Sequence, residues 1–132
     1  MALVFHHVAF SVRDIEQSKK WYQEKIGFAI TNERSKNGVD IVFMRLGDVL
    51  IELFSFGSET KDLPDYRINV VDDLHVEGTK HLCLGTDDLD KSMAELKSKG
   101  VEFVTEVDTG AFGGRYIFFR DCNNILIELF QN

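Results

Sequence analysis

Leu50-Ile51-Glu52-Leu53-Phe54 recurs, residue for residue, as Leu126-Ile127-Glu128-Leu129-Phe130. Matching stretches also lie upstream of these. His7-Val8-Ala9-Phe10 precedes Asp14-Ile15, and His81-Leu82-Cys83-Leu84 precedes Asp88-Leu89. Ser18 with Ser92 and Lys25 with Lys99 keep the upstream spacing. The downstream pair is spaced slightly wider, which a short insertion between helix and last strand explains. Chance similarity between β-rich segments does not readily yield a five-residue identity together with an in-register His and Asp. The chain therefore reads as one module present twice.

Each half has the same order of elements. Residues 3–12 alternate and are rich in β-formers, which predicts a strand. Asp14 suits an N-cap, with Gln17 three residues on as in a capping box. The helix that follows carries Ile15, Tyr22 and Ile26 on or near one face. It ends at Gly27, since a residue without Cβ accepts the left-handed cap conformation cheaply. Strands are predicted near 28–33, 40–46 and 49–56. In the second half, 80–86 reads as a strand, and Asp87 or Asp88 caps a helix with Leu89, Met93 and Leu96 on one face. Gly100 ends that helix, and strands follow near 101–107, 115–120 and 125–130. The pattern is βαβββ twice over, an α+β fold. Module one covers about 1–57 and module two about 79–132 of a single domain. The polar stretch of about 58–78, with the only Pro, reads as a linker that could also cover a site.

Composition narrows the function classes. A chain of 132 residues has the size of one ordinary domain, and 44% hydrophobic content is enough for a core. The net charge of −7 weighs against nucleic acid and anionic membranes as partners, because both are polyanions. Cys83 and Cys122 form no CxxC pair and read as ordinary thiols in a reducing compartment. The start, MALVFHHVAF, lacks a basic region followed by a long apolar run, and no stretch approaches the ~18 apolar residues of a membrane span. A soluble, cytoplasmic protein is expected.

The repeated strand carries the chemistry. Leu50, Glu52 and Phe54 share one face, while Val49, Ile51 and Leu53 share the other. Glu52 thus has large apolar neighbours on both faces, and Glu128 repeats the situation. An unpaired buried carboxylate costs several kcal/mol. One such Glu is most often partly exposed on an edge strand, but two in identical frames need a shared cause. His7 and His81 suggest it. A lone His on an apolar strand is usually a hydrogen-bonded core residue. Two His and two Glu at equivalent places in duplicated modules, related by a pseudo-twofold axis, can converge as an N2O2 set around one divalent ion. Such donors suit Ni, Zn, Co, Fe or Mn better than Ca or Mg, and lack the thiolates of a structural Zn site. Four protein ligands leave two octahedral positions open, as catalysis requires. His6 is expected on the opposite face from His7, and His75 lies in the linker, a remote candidate for substrate contact.

Several motifs resemble the vicinal oxygen chelate family, which includes glyoxalase I, methylmalonyl-CoA epimerase, fosfomycin-resistance transferases, extradiol dioxygenases and bleomycin-resistance proteins. They are His7-Val8-Ala9-Phe10-Ser11-Val12-Arg13-Asp14, Trp21-Tyr22 before Ile26-Gly27-Phe28, both Leu-Ile-Glu-Leu-Phe strands, and Gly114-Arg115-Tyr116-Ile117-Phe118-Phe119-Arg120-Asp121. The resemblance spans essentially the whole chain. It implies paired βαβββ modules whose curved mixed sheet wraps a metal cleft, and pairing of two chains as a homodimer. His7, Glu52, His81 and Glu128 resemble the metal set of glyoxalase I, whereas epimerases commonly carry Gln at the place of Glu52. Two features depart from glyoxalase I: Ser11 stands where those enzymes have Arg, and Phe56 where they often have Asn. Arg13, Arg45, Arg67 or Arg115 could replace the missing cation, so the motifs do not name glutathione as substrate. The usual Asp-Pro-Asp-Gly turn is altered to Asp121-Cys122-Asn123-Asn124, which still permits the turn.

The expected function is that of a metal-dependent lyase or isomerase acting on a small molecule. The ion, a Lewis acid, would stabilise an enediolate while Glu128 or Glu52 moves the proton. Phe43, Phe112, Tyr116 and Phe118 could line the cleft, although such residues are more often sheet core. Gly113-Gly114 reads as a flexible loop at its mouth, and Arg115 as an anion contact. The competing readings are an acyl-CoA epimerase, an Fe(II)-dependent dioxygenase and a non-catalytic binder of a small molecule such as an antibiotic.

Overall fold

The computed structural model describes residues 1–132, which divide into two compact units, Met1–Asp62 and Leu63–Asn132. The first unit runs β1 (Val8–Ser11), α1 (Ile15–Trp21), β2 (Ala29–Lys36), β3 (Val39–Leu46) and β4 (Val49–Ser55). Its mixed sheet has the order β1-β4-β3-β2, with β1 parallel to β4 and the other pairs antiparallel. A parallel pair needs a crossover, and α1 provides it. Asp14 caps α1 as expected, its side chain accepting from the Gln17 N–H at 3.0 Å. The last turn, Tyr22–Ile26, widens to a π-helix. It closes on Gly27 at φ 100°, where the Gly27 and Phe28 N–H groups both donate to the Tyr22 carbonyl. Ile15, Tyr22, Phe28, Met44, Ile51 and Leu53 are buried together in this unit's core.

The second unit begins with a short helix, α2 (Val70–Asp73), then β5 (Leu82–Gly85), α3 (Leu89–Ser98), β6 (Asp108–Thr109), β7 (Arg115–Arg120) and β8 (Leu126–Gln131). Its sheet repeats the topology, β5-β8-β7-β6, again with one parallel pair. Asp88, rather than Asp87, caps α3 through the Lys91 N–H at 2.9 Å. Leu89, Leu96, Ile117, Phe119, Ile127 and Leu129 are buried. Asn124 takes φ 64° in the turn before β8, the left-handed conformation that Asn tolerates. The chain is thus α+β, with the βαβββ order present twice.

Two expectations are corrected. The strand predicted at 3–12 pairs only from Val8, and Leu3, Val4 and Phe5 are at least four-fifths exposed. The strand predicted at 101–107 is not a ladder. Phe103 makes one bridge to Phe119, and the Phe118 N–H donates to the Thr105 hydroxyl rather than to a backbone carbonyl. The stretch 58–78, read as a linker, holds a 3₁₀ turn at Asp65–Arg67 and α2. The buried Asp73 carboxylate anchors this stretch, accepting from Arg67 Nε at 3.1 Å and facing Lys80 Nζ at 3.5 Å. No helix is long and apolar enough to cross a membrane.

Candidate functional site

The two glutamates occupy matching places in their sheets. Glu52 lies opposite Ala9 of β1 and Phe43 of β3. Glu128 lies opposite Cys83 of β5 and Phe118 of β7. Period-two alternation sends Ile51 and Leu53, both fully buried, to the core face of β4 and leaves Glu52 on the other. Ile127 and Leu129 do the same for Glu128.

Each glutamate meets the histidine of its own unit. His7 Nε2 lies 3.1 Å from Glu52 Oε2, and His81 Nε2 lies 2.6 Å from Glu128 Oε2. Each imidazole also stands edge-on to the aromatic residue facing its glutamate. The ring centroids are 5.2 Å apart for His7 and Phe43, and 5.1 Å for His81 and Phe118. The four polar side chains keep between 16% and 31% of their surface exposed, so a ligand from solvent can reach them. Neither unit gathers three His, Cys, Asp or Glu side chains within reach of one ion. Each offers one nitrogen and one carboxylate oxygen, aimed at one another. Adjacent ligands of an ion with bonds of about 2.1 Å sit roughly 3 Å apart. Both pairs are spaced close to that figure, so the donor chemistry fits a divalent ion.

A cavity borders each pair. In the first unit about 860 Å3 is lined by Phe43 and Glu52 with His6, Arg34 and Arg45. In the second about 660 Å3 is lined by His81, Glu128, Phe118, Tyr116 and Phe112, with Val70, Val71 and Leu74 of the α2 region forming one wall. Tyr116 packs edge-on to Phe118 at 5.6 Å, and Phe112 is fully exposed at the rim. The loop before β7 borders this cavity at Gly113. A Cβ on Gly114 would come within 2.5 Å of the Phe130 ring, so glycine is required by close approach.

Other expected residues lie elsewhere. Arg115 precedes Tyr116 by one position and so points to the other face, where its guanidinium pairs with Asp90 of α3 at 3.0 Å. That pairing raises the Arg115 pKa and lowers that of Asp90. Arg115, expected as an anion contact, is not among the residues that line the second cavity. His75 is exposed and likewise lies outside that lining. His6 was expected opposite His7, but its Nδ1 lies 2.7 Å from His7 Nδ1 and it lines the first cavity. Strand alternation does not apply to it, because β1 starts only at Val8.

Sequence reasoning missed Cys83. It stands two residues after His81, in register with Glu128, where the first module has Ala9. That position was the available signal. Partial burial first, and then the Glu128 carboxylate, push the thiol up to about 11. The thiolate is the reactive form, so a rise from 9.0 to about 11 leaves it scarce at neutral pH. In metal-free protein at pH 8, Cys83 should alkylate with iodoacetamide roughly 10-fold more slowly than an ordinary thiol, its scarcer thiolate being partly offset by greater nucleophilicity. The rate should climb as pH rises toward 11. Peptide mass spectrometry of quenched samples measures this, and an ordinary rate would refute it.

Comparison with known proteins agrees with the duplicated fold. A family model, Glyoxalase/Bleomycin resistance protein/Dioxygenase superfamily, matches residues 4–129. An uncharacterized protein of Bacillus subtilis (strain 168), YwkD, is 33% identical over 129 residues, covering 96% of this chain and 94% of that protein. Mitochondrial methylmalonyl-CoA epimerase of Homo sapiens is 29% identical over 132 residues, covering 96% of this chain and 72% of the epimerase. The crystal structure of a glyoxalase family protein from Enterococcus faecalis matches with a TM-score of 0.81 at 24% identity, covering 96% of each chain. With the family model spanning nearly its whole length, the chain belongs to the glyoxalase/bleomycin resistance protein/dioxygenase superfamily.

Proposed function

We propose that this chain is a divalent-metal-dependent lyase or isomerase of the glyoxalase I type, which moves a proton between neighbouring carbons of a small carbonyl substrate. The observation that carries the proposal is the pair of His–Glu contacts at repeat-equivalent positions, 3.1 Å in one unit and 2.6 Å in the other. His7, Glu52, His81 and Glu128 are the proposed metal ligands, with Ni, Zn, Co, Fe or Mn matching the donors. Bound there, the ion supplies Lewis acidity at a substrate oxygen.

The remaining roles belong to the protein. Glu128 Oε2 takes the proton from the substrate carbon and returns it to the adjacent one. Of the two glutamates it is the more buried, at 16% exposed against 21%, and it borders the more apolar cavity. Phe43 and Phe118 fix the planes of the imidazoles that orient the carboxylates. Tyr116 and Phe112, with the α2 wall, contact the substrate's apolar part and exclude water. Acyl-CoA epimerisation is the second reading. It shares the first step, loss of a proton beside a carbonyl, but returns the proton to the opposite face of the same carbon, and the similarity to methylmalonyl-CoA epimerase favours it.

Metal-loaded protein should therefore consume either the methylglyoxal–glutathione adduct or one epimer of an acyl-CoA, and purified protein should carry one ion per chain. Oxygen consumption by Fe(II)-loaded protein would point instead to a dioxygenase. Absence of a stoichiometric ion together with no turnover would leave only a binding protein.

A further inference from the structure

The first cavity has a charge character that the proposed proton transfer does not use. Arg45 extends from β3 on the same face as Phe43, which is the cross-strand partner of Glu52. Arg34 joins it from β2, where it is in register with Ile41. Every other arginine of the chain is engaged. Arg13 donates to Asp62 at 2.5 Å, Arg67 to Asp73 at 3.1 Å and Arg115 to Asp90 at 3.0 Å. Arg120 donates to the carbonyls of Asn124 and Ile68. Arg34 and Arg45 have no such partner. Glu33 borders the same cavity, but its carboxylate is held by Lys19 at 2.6 Å. The chain as a whole carries −7, yet this cavity, which Glu33 and Glu52 also border, holds two guanidinium groups without an acidic partner.

We propose that Arg45, assisted by Arg34, binds an oxyanionic group of the substrate, a carboxylate or a phosphate, in the first cavity. This deepens the function proposed above and rests on it for the placement of the reacting carbons. Arg45 faces Leu50, so it is a diagonal neighbour of Glu52, roughly 7–8 Å away between backbones. A ligand held at Glu52 can therefore meet Arg45 through a group only a few bonds from the atoms at Glu52. The planar guanidinium fork matches a carboxylate or phosphate with two parallel hydrogen bonds, which a solvated lysine does not reproduce. Cavity size sets no obstacle, since 860 Å3 lies in the range of small-molecule sites.

Hydroxamates test this, because they chelate metals through two neighbouring oxygens and can carry a chosen tail. Calorimetry on metal-loaded protein would compare acetohydroxamate with its carboxylate-bearing relative, succinic monohydroxamate, and with phosphonoacetohydroxamate. At least one acidic compound should bind about 10–100-fold tighter than acetohydroxamate. Which one does so tells carboxylate from phosphate. Arg45→Leu should erase that advantage while leaving acetohydroxamate affinity unchanged, and Arg45→Lys should keep part of it. The proposal is overturned if neither acidic compound has an advantage, or if the advantage survives Arg45→Leu. Failure of acetohydroxamate itself to bind would instead count against the metal reading. In that event, metal-free protein titrated with inorganic phosphate and with acetate decides the matter. A saturable shift of the Arg45 Nε–Hε resonance supports the anion site, and its absence refutes it.

Discussion

Glu128→Gln should weaken metal binding by more than about 100-fold, because loss of a direct ligand exceeds the 10–100-fold typical of losing a supporting contact. With the metal restored by excess ion, kcat should still fall by about 10²–10⁴-fold, the usual contribution of a positioned base. The amide keeps the shape of the carboxylate but carries no charge and takes no proton. It also leaves one oxygen to serve both the ion and His81 Nε2, which now lies 2.6 Å from Glu128 Oε2. Glu52→Gln separates the two roles. It should lose less metal affinity, since an amide oxygen can still coordinate there, and regain most turnover at saturating ion. Metal content after dialysis and kcat across an ion titration measure both effects. Full activity in Glu128→Gln would remove Glu128 as the base, and equal losses at saturating ion would spread the proton transfer over both carboxylates.

Asp73→Ala should destabilise the protein by about 2–3 kcal/mol. Breaking one side of a buried ion pair commonly costs about 3–5 kcal/mol. The figure is reduced here because Arg67 and Lys80 keep 34% and 20% of their side chains exposed, so water compensates part of the loss. The carboxylate itself is only 5% exposed. Around it, Lys80 Nζ donates to the Asp73 carbonyl at 2.6 Å, and Arg67 donates to the Thr79 carbonyl at 2.8 Å. The anchored segment carries Val70, Val71 and Leu74, one wall of the cavity beside His81 and Glu128. A loosened wall should raise KM before it lowers kcat. Urea denaturation gives the stability change. A loss below about 0.5 kcal/mol, the range of an ordinary surface substitution, would show that Asp73 is not an anchor.

Much of the architecture was legible in local pattern. The repeated pentapeptide implied a duplicated module. Period-two alternation assigned Glu52 and Glu128 to the face opposite the buried Ile51, Leu53, Ile127 and Leu129. Asp14 and Asp88 announced helix starts because a cap is a contact over three residues, Asp14 to Gln17 and Asp88 to Lys91. The repeat also named the histidine that meets each glutamate. What local pattern left undecided depends on partners distant in the chain. Residues 101–107 have strand-like composition, yet the Phe118 N–H is taken by the Thr105 hydroxyl. His6 joins the first cavity because β1 begins after it.

The sequence alone therefore determined the two βαβββ modules and the four side chains that form matching His–Glu pairs. Only the tertiary structure decided which charges are spent and which are left for a ligand. Asp90 reaches Arg115, Asp62 reaches Arg13 and Asp73 reaches Arg67, while Arg45 and Arg34 are left facing a cavity. Alternation and capping are set by residues a few positions apart. Neutralisation of a charge is set by which strands and helices the fold brings side by side.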